Sequence, residues 1–240
     1  MRLLRIFIPV LCAAVLTASV TADSLRAKKP FVPTSHYALQ KIEGWSVRVN
    51  KDLLSGRQRE IGTRVLALLK EKLAEIRRIV PQAAAQKLTN VVIWVGVNDY
   101  AIPNATYHPS REWLKEHGWN PDKARGVEIS SAATLLSWVK DQPMVILHEL
   151  THAYHDQVLG YDNVEIENCY QRAKKSGKYA RVKNISGAVM RAYALNDAQE
   201  FFAEASEAYF GKNDFYPFTK EDLRKFDSET FNVVETLWNR

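Results

Sequence analysis

The decapeptide LHELTHAYHD (Leu147–Asp156) contains residue types at the spacing of a metal site with an adjacent base. His148 and His152 are four residues apart, so on a helix their rings lie on the same face, one turn above the other. Two imidazoles in that arrangement can bind one zinc ion, and Glu149 beside them can reach a water at the metal rather than the metal itself. This is hydrolytic chemistry, because zinc acidifies water and polarises a carbonyl while the carboxylate transfers the proton.

The alternative is a helix that carries one core histidine, one surface histidine and a solvated glutamate. The apolar run Met144–Leu147 argues against it, because a buried helix has no other evident use for this spacing. His155 lies seven residues beyond His148, and we expect it at the helix surface or beside a ligand. A longer zinc motif would need glycine and histidine where His155 and Val158 stand. We therefore do not expect His155 to bind the metal, and the third ligand must come from elsewhere.

A carboxylate is the expected third ligand, with the fourth position kept for water. The segment NDAQEFFAEASEAYF (Asn196–Phe210) places Glu200 and Glu204 on one helical face. One of them could bind zinc while the other holds a ligand histidine through its free ring N–H. The alternative is structural, because Asp197 and Glu200 also have the spacing of a helix capping box and Glu204 could be an exposed helix residue.

The two segments together resemble the lethal-factor-like zinc metallopeptidases, a gluzincin-type family that includes anthrax toxin lethal factor and the secreted Pro-Pro endopeptidases. That family has the pattern Tyr-(x)6-Glu-(Phe/Tyr)-Phe-Ala-Glu, and YALNDAQEFFAE, which begins at Tyr193, keeps its spacing. The resemblance covers about residues 90–210 and includes no receptor-binding domain. It implies a zincin-like fold, with Glu200 as third zinc ligand and Glu204 as the partner of a ligand histidine. It also implies that Tyr193 donates its phenol to the oxyanion of the reaction; the alternative is a buried aromatic bonded to a backbone carbonyl.

The elements that must position these residues form an α+β pattern, a small N-terminal β-sheet with helices followed by a helical C-terminal half. Period-two or continuous apolar runs predict strands, and apolar stripes at helical spacing, bounded by proline or glycine, predict helices. The predicted strands are at 44–50, 90–97 and 126–130, and the predicted helices are at 58–80, 143–160, 163–176, 197–210 and 219–238.

Residues 98–125 are predicted to form a long loop, because they contain three prolines and several turn-forming residues. The loop is rich in aromatic residues. Tyr107, Trp113 and Trp119 either line a cleft or pack the loop itself, and the sequence does not decide between these roles.

The N-terminus has the pattern of a secretory signal peptide over residues 1–22. Arg2 and Arg5 precede the apolar run Ile6–Leu16, and Val20–Ala22 fits a cleavage site. The run is too short to span a membrane, so we expect export to the periplasm or outside the cell, without stable membrane insertion. Residues 23–40 are predicted to be a poorly structured leader, and residues 41–240 a single zincin-like catalytic domain.

Charge and cysteine content exclude other classes of function. Of 33 Lys and Arg, two lie in the signal, leaving 31 against 27 Asp and Glu, a net charge of +4. This charge looks diffuse and no nucleic-acid motif is present, so we expect no nucleic-acid partner. Cys169 is the one cysteine after the signal, and we expect it to be a small buried residue.

These observations predict a secreted zinc endopeptidase that acts as a monomer on a peptide or protein substrate. Its site would hold one Zn²⁺ per chain on His148, His152 and Glu200, with Glu149 as general base and Tyr193 as oxyanion donor. The alternative is a non-catalytic, zinc-containing module that binds a protein or a glycan through the aromatic segment.

Overall fold

The computed structural model of the chain describes residues 30–99 and 105–240, and the predicted signal peptide, residues 1–22, lies outside them. Residues Phe31–Arg240 form one compact unit. It contains a five-stranded mixed sheet with the order β1-β2-β3-β5-β4. The strands are β1 (Tyr37–Ile42), β2 (Trp45–Asn50), β3 (Ile93–Val95), β4 (Ala105–Tyr107) and β5 (Val127–Ile129). Strands β2, β3 and β5 are parallel, and β1 and β4 are antiparallel edge strands.

The helical half follows the sheet, which confirms the predicted α+β class with a small N-terminal sheet. Helix α1 (Arg59–Ile79) ends before Pro81, as its apolar stripe predicts. The helices are α1, α2 (Gln82–Leu88), α3 (Arg111–Glu116), α4 (Ala132–Trp138), α5 (Val145–Tyr154), α6 (Val164–Ser176), α7 (Ala198–Phe210), α8 (Lys220–Phe226) and α9 (Ser228–Trp238). Short helices α2 and α4 were not predicted, and the helix predicted over 219–238 is two helices because Asp227 ends α8 and caps α9.

The leader predicted over residues 23–40 is wrong in its last part. Thr34–His36 form a 3-10 turn, and β1 begins at Tyr37 and pairs with β2 along its whole length. Tyr37 is buried, and its hydroxyl donates to Asp99 Oδ2 at 2.6 Å. A strand at the edge of a sheet is half exposed, so its sequence has few of the apolar residues that mark an interior strand.

The loop predicted over 98–125 is also partly wrong, because it contains β4 and α3. Buried charged groups hold β4 against β5. His108 Nε2 lies 2.7 Å from Glu128 Oε2, and Lys123 contacts both Glu128 and Asp99. Burial opposes ionisation of Glu128, but His108 and Lys123 outweigh it and lower the pKa of this carboxyl. The strand is only three residues long, so the network, rather than a long ladder, fixes its position.

Helix α5 carries the metal motif and packs against both β4 and α7. It begins after Pro143 and continues beyond Tyr154 as a π-helical turn, His155–Leu159, which ends at Gly160 with φ of +82°. The start of α5 lies close to the end of α7, since a Cβ at Gly211 would be 2.5 Å from the Met144 sulfur. Glycine at position 211 therefore permits the close packing of the two helices that carry the candidate ligands.

None of the helices in the described parts of the chain is long and apolar enough to cross a membrane. Two further expectations are confirmed. Strand β3 is fully buried in the middle of the sheet, and Cys169 is a buried free thiol on α6.

Candidate metal centre

Helices α5 and α7 bring the three predicted ligands together. His148 Nε2 lies 3.0 Å from Glu200 Oε2, and His152 Nε2 lies 3.5 Å from the same oxygen. The two imidazole rings are 4.8 Å apart, one helical turn from each other on α5. All three side chains are 12 % exposed, so the group is largely buried but still accessible to solvent.

The position of Glu200 follows from how α7 begins. Asp197 is the N-cap of α7, and its side chain accepts a hydrogen bond from the Glu200 N–H at 2.8 Å. The capping alternative is therefore correct for Asp197, which caps the helix as its spacing suggests. The Glu200 carboxylate, however, is directed to the histidines and to Tyr193.

The donor set fits zinc in kind and in spacing. Zinc bound tetrahedrally at ~2.0–2.1 Å from each ligand needs donor atoms ~3.3 Å apart. The separations of 3.0 Å and 3.5 Å bracket that value. A second group of potential ligand atoms comprises His148, Glu204 and Glu207. The second group shares His148 with the first, and Glu207 is hydrogen-bonded to the His148 ring. We therefore assign the second group to holding this histidine in position.

The charged forms of the histidines and of Glu200 stabilise each other at the centre. Burial would lower the pKa of His148, but hydrogen bonds to Glu200 and Glu207 outweigh it and raise the pKa well above its ordinary value. Burial opposes ionisation of Glu200, yet His152 and His148 lower its pKa far below the ordinary range. Glu200 is therefore a carboxylate at any physiological pH, as a metal ligand must be.

Glu149 lies beside the ligands and is 8 % exposed. Its Oε2 accepts a hydrogen bond from the Tyr107 backbone N–H at 2.7 Å, which ties the residue to β4. Burial raises the pKa of this carboxyl, and the two histidines partly oppose the shift. A buried carboxylate with a raised pKa is a better proton acceptor than an exposed one.

Tyr193 approaches the same centre from the 3-10 turn that precedes α7. Its hydroxyl donates to Glu200 Oε1 at 3.2 Å, and its ring lies 6.4 Å from that of His148. Burial, together with the charges of Glu200 and Glu149, raises the pKa of this phenol. It therefore keeps its proton and remains a hydrogen-bond donor at neutral pH.

The predicted partner of the ligand histidine is wrong by three residues. Glu207 Oε1, not Glu204, lies 2.6 Å from His148 Nδ1. Glu204 accepts instead from the Asn213 side chain at 3.1 Å. Residues 200, 204 and 207 all lie on one helical face, so the sequence places both candidates near Glu200 and does not decide between them.

Three buried carboxyl groups lie together behind His148, a feature that sequence reasoning missed. Glu204, Glu207 and Asp214 are each at most 3 % exposed, and neither Glu207 Oε2 nor Asp214 Oδ1 has a hydrogen-bond partner. Burial raises the pKa of Glu204 well above its ordinary value, with further increases from Asp214 and Glu207. Burial and Glu207 raise the pKa of Asp214 to about 7. Glu204 and Asp214 therefore both resist ionisation beside Glu207, the residue that contacts His148.

The contacts of Tyr107, Trp113 and Trp119 in segment 98–125 are packing contacts. Tyr107 reaches the metal helix, where its hydroxyl donates to Asp156 Oδ2 at 2.5 Å and accepts from Gln157 at 3.0 Å. Trp113 stacks on His117 and lies edge-on to Trp119, so these rings pack against their own segment. The π-helical turn thus provides two side chains that hold β4 beside Glu149.

The surface position expected for His155 is wrong. The ring is 1 % exposed, packs against Tyr161 and Phe202, and has no hydrogen-bond partner on either nitrogen. Burial and the nearby His152 lower its pKa to about 4. His155 is thus a neutral residue of the core, enclosed by aromatic rings.

Comparisons of the chain with known protein families, with curated proteins and with solved structures found no match. The geometry of the centre is therefore the basis for assigning a function.

Proposed function

We propose that the chain is an exported zinc endopeptidase with a zincin-like catalytic domain. One observation carries the proposal: His148, His152 and Glu200 converge from two helices at the spacing of zinc ligands, with buried Glu149 beside them. A helix that is only rich in polar residues would not direct three donors to one point. The predicted signal peptide supports export.

When bound at these ligands, zinc acidifies water and polarises a carbonyl. Glu149 is the proton acceptor in this proposal. The Tyr107 N–H holds its Oε2 at 2.7 Å, so the second oxygen is the one that takes a proton and later delivers it to the leaving amine. His148 is held in one ring orientation by Glu207, so its Nε2 faces the ligand group.

Tyr193 has the position and protonation state of an oxyanion donor. Its hydroxyl is already within the ligand group, 3.2 Å from Glu200 Oε1, and its raised pKa keeps it protonated. A phenol that donates to the oxygen on which negative charge develops stabilises that charge more than it stabilises the ground state.

A polypeptide substrate is supported by the position of β4. Within the described residues, β4 is an edge strand of the sheet. The His108 N–H bonds to Gly126 on the β5 side, and the neighbouring Tyr107 N–H points the other way, to Glu149. An extended peptide can pair with an edge strand through its main chain, and pairing with the part of β4 that precedes Tyr107 would bring a peptide bond towards Glu149.

The test is digestion of a broad peptide library by zinc-loaded protein, analysed by mass spectrometry. We expect cleavage by the wild type, loss after chelation, and at least a ~100-fold lower rate for Glu149→Gln with zinc still bound. If Glu149→Gln cleaves as fast as the wild type, the proposal is wrong. If zinc is bound and nothing is cleaved, the chain is a binding module.

A further inference from the structure

A short hairpin precedes Tyr193, and the segment of the chain that contains this hairpin has an unusual concentration of positive charge. Residues 168–196 contain seven Lys and Arg and no Asp or Glu, while the whole chain has a net charge of +6. The seven cations are Arg172, Lys174, Lys175, Lys178, Arg181, Lys183 and Arg191. The interpretation of the basic charge as diffuse is therefore wrong, because this one segment accounts for all of the net charge.

The hairpin is formed by β6 (Val182–Lys183) and β7 (Val189–Met190). Its turn is held by Asn184, whose side chain accepts from the backbone N–H groups of Ser186 and Ala188. On the far side of β6, the Lys183 carbonyl accepts from the Tyr216 N–H at 2.8 Å. The hairpin is therefore anchored along β6, and β7 is its open edge.

One face of the hairpin is basic and exposed. Val189 pairs with Lys183, and alternation along each strand puts Arg181 and Arg191 on the same face. All four side chains are exposed, and Val189 is 53 % exposed. We call Arg181, Lys183, Val189 and Arg191 the basic hairpin face. Arg181 and Arg191 would be the next cross-strand pair, an arrangement of like charges that is unfavourable in a hairpin alone.

These charges are not neutralised by acidic side chains, at least among residues 30–99 and 105–240. Arg172 differs, because it pairs with Asp227 and Glu229 at 3.3 Å and 2.9 Å. Arg191 donates to Asn196 Oδ1 at 2.7 Å and to the Leu195 carbonyl, which are neutral acceptors. Those contacts hold the Arg191 guanidinium beside the residues that precede α7.

The basic hairpin face is also close to the candidate centre in the chain. Only Ala192 separates Arg191 from Tyr193, whose hydroxyl contacts Glu200. The base of the hairpin is fixed by a hydrogen bond from the Ala192 N–H to the Tyr179 carbonyl. A ligand on this face would therefore extend from the Tyr193 side of the metal centre.

We propose that the basic hairpin face binds acidic side chains of the polypeptide substrate on the Tyr193 side of the metal centre. This inference rests on the proposed endopeptidase function and names its substrate class. Charge complementarity favours an acidic segment, and the exposed Val189 on this face favours one that also contains an apolar residue. A single-stranded nucleic acid is less well matched, because its bases stack on aromatic side chains and this face has none.

The test measures binding without turnover, using zinc-loaded Glu149→Gln protein. A fluorescent peptide of alternating glutamate and leucine is compared by anisotropy with the same peptide in which glutamine replaces glutamate. The double variant Arg181→Glu/Lys183→Glu is matched by Arg64→Glu/Lys70→Glu, which reverses two exposed charges on α1. We expect the acidic peptide to bind about 10-fold tighter than the glutamine peptide, and this advantage to be lost only in the hairpin variant.

Equal affinity for the two peptides, or an unchanged preference in Arg181→Glu/Lys183→Glu, would overturn the proposal. So would an oligonucleotide or an anionic vesicle that binds tighter than the acidic peptide and displaces it. The two proposals fail separately, because binding needs no catalysis. Cleavage of neutral peptides without an acidic preference removes only the substrate class, whereas acidic binding by a wild type that cleaves nothing removes only the endopeptidase function.

Discussion

Replacing Glu207 by glutamine should weaken zinc binding, and the same change at Glu204 should not. Glu207 Oε1 lies 2.6 Å from His148 Nδ1, the distance of a strong hydrogen bond between charged groups. Such a bond contributes about 1.5–3 kcal/mol, and an amide oxygen keeps roughly half of it. The loss of about 0.8–1.5 kcal/mol corresponds to roughly 4–13-fold weaker binding, which reaches the lower end of the effect known for residues that orient metal ligands.

Glu204→Gln is the matched control, because it removes a buried carboxyl from the same helical face. Glu204 bonds to Asn213 rather than to His148, and its pKa is raised well above the ordinary value by burial, Asp214 and Glu207. Burial therefore favours the protonated form of Glu204, which glutamine imitates in shape and charge. We expect a change in zinc affinity of less than about 3-fold.

The assay is competition with a chromophoric chelator at pH 7.5, with a thermal melt of each metal-free variant to show that it is folded. If Glu204→Gln weakens zinc binding more than Glu207→Gln does, the assignment of the histidine partner is wrong. Equal, near-wild-type affinity of both variants would show that the 2.6 Å contact does not orient His148 for a metal.

The other predictions concern the oxyanion donor, the buried histidine and the link between β4 and the metal helix. Tyr193→Phe should lower kcat by about 100-fold while KM stays within about twofold and zinc affinity is unchanged; wild-type kcat would contradict the role of the phenol. His155 has a pKa of about 4 in the folded chain and about 6.5 when unfolded, so the unfolded chain binds the extra proton between these values and stability falls as the pH falls. This histidine accounts for a loss of about 2 kcal/mol in the free energy of unfolding at pH 5. Between pH 7 and pH 5, the free energy of unfolding, measured with urea on metal-free protein in EDTA, should therefore fall by about 2 kcal/mol less in His155→Phe than in the wild type. Identical losses in the two proteins would contradict the buried neutral ring. Tyr107→Phe removes the 2.5 Å bond to Asp156 and should lower the free energy of unfolding by about 1–3 kcal/mol, whereas an unchanged urea midpoint would show that the hydroxyl does not fasten β4.

The sequence predicts most of what depends on local periodicity. The stripe of α1, the buried run of β3 and the spacing of His148 and His152 are properties of adjacent turns or strand positions, and each is found where the pattern puts it. The convergence of Glu200 on the two histidines joins positions about fifty residues apart. Periodicity places Glu200 and Glu204 on one helical face but cannot join them to the histidines, and the resemblance to a family selected Glu200.

The parts that sequence reasoning missed depend on side-chain orientation and on short elements. Strand β4 has three residues and is fixed by the buried contacts of His108, Lys123 and Glu128, which leave no apolar pattern to detect. Glu204 and Glu207 lie three residues apart on α7, so the rotation of this helix about its axis decides which of the two contacts His148. His155 is buried because Tyr161 and Phe202 cover its ring, and such contacts between distant positions cannot be read from local spacing.

The central claim is that His148, His152 and Glu200 together hold one zinc ion. The most direct measurement is anomalous diffraction at the zinc edge from crystals of the zinc-loaded protein. We expect a single peak per chain, ~2.0–2.2 Å from Nε2 of both histidines and from a Glu200 oxygen. No peak between these three side chains, or a peak among Glu204, Glu207 and Asp214 instead, would contradict it.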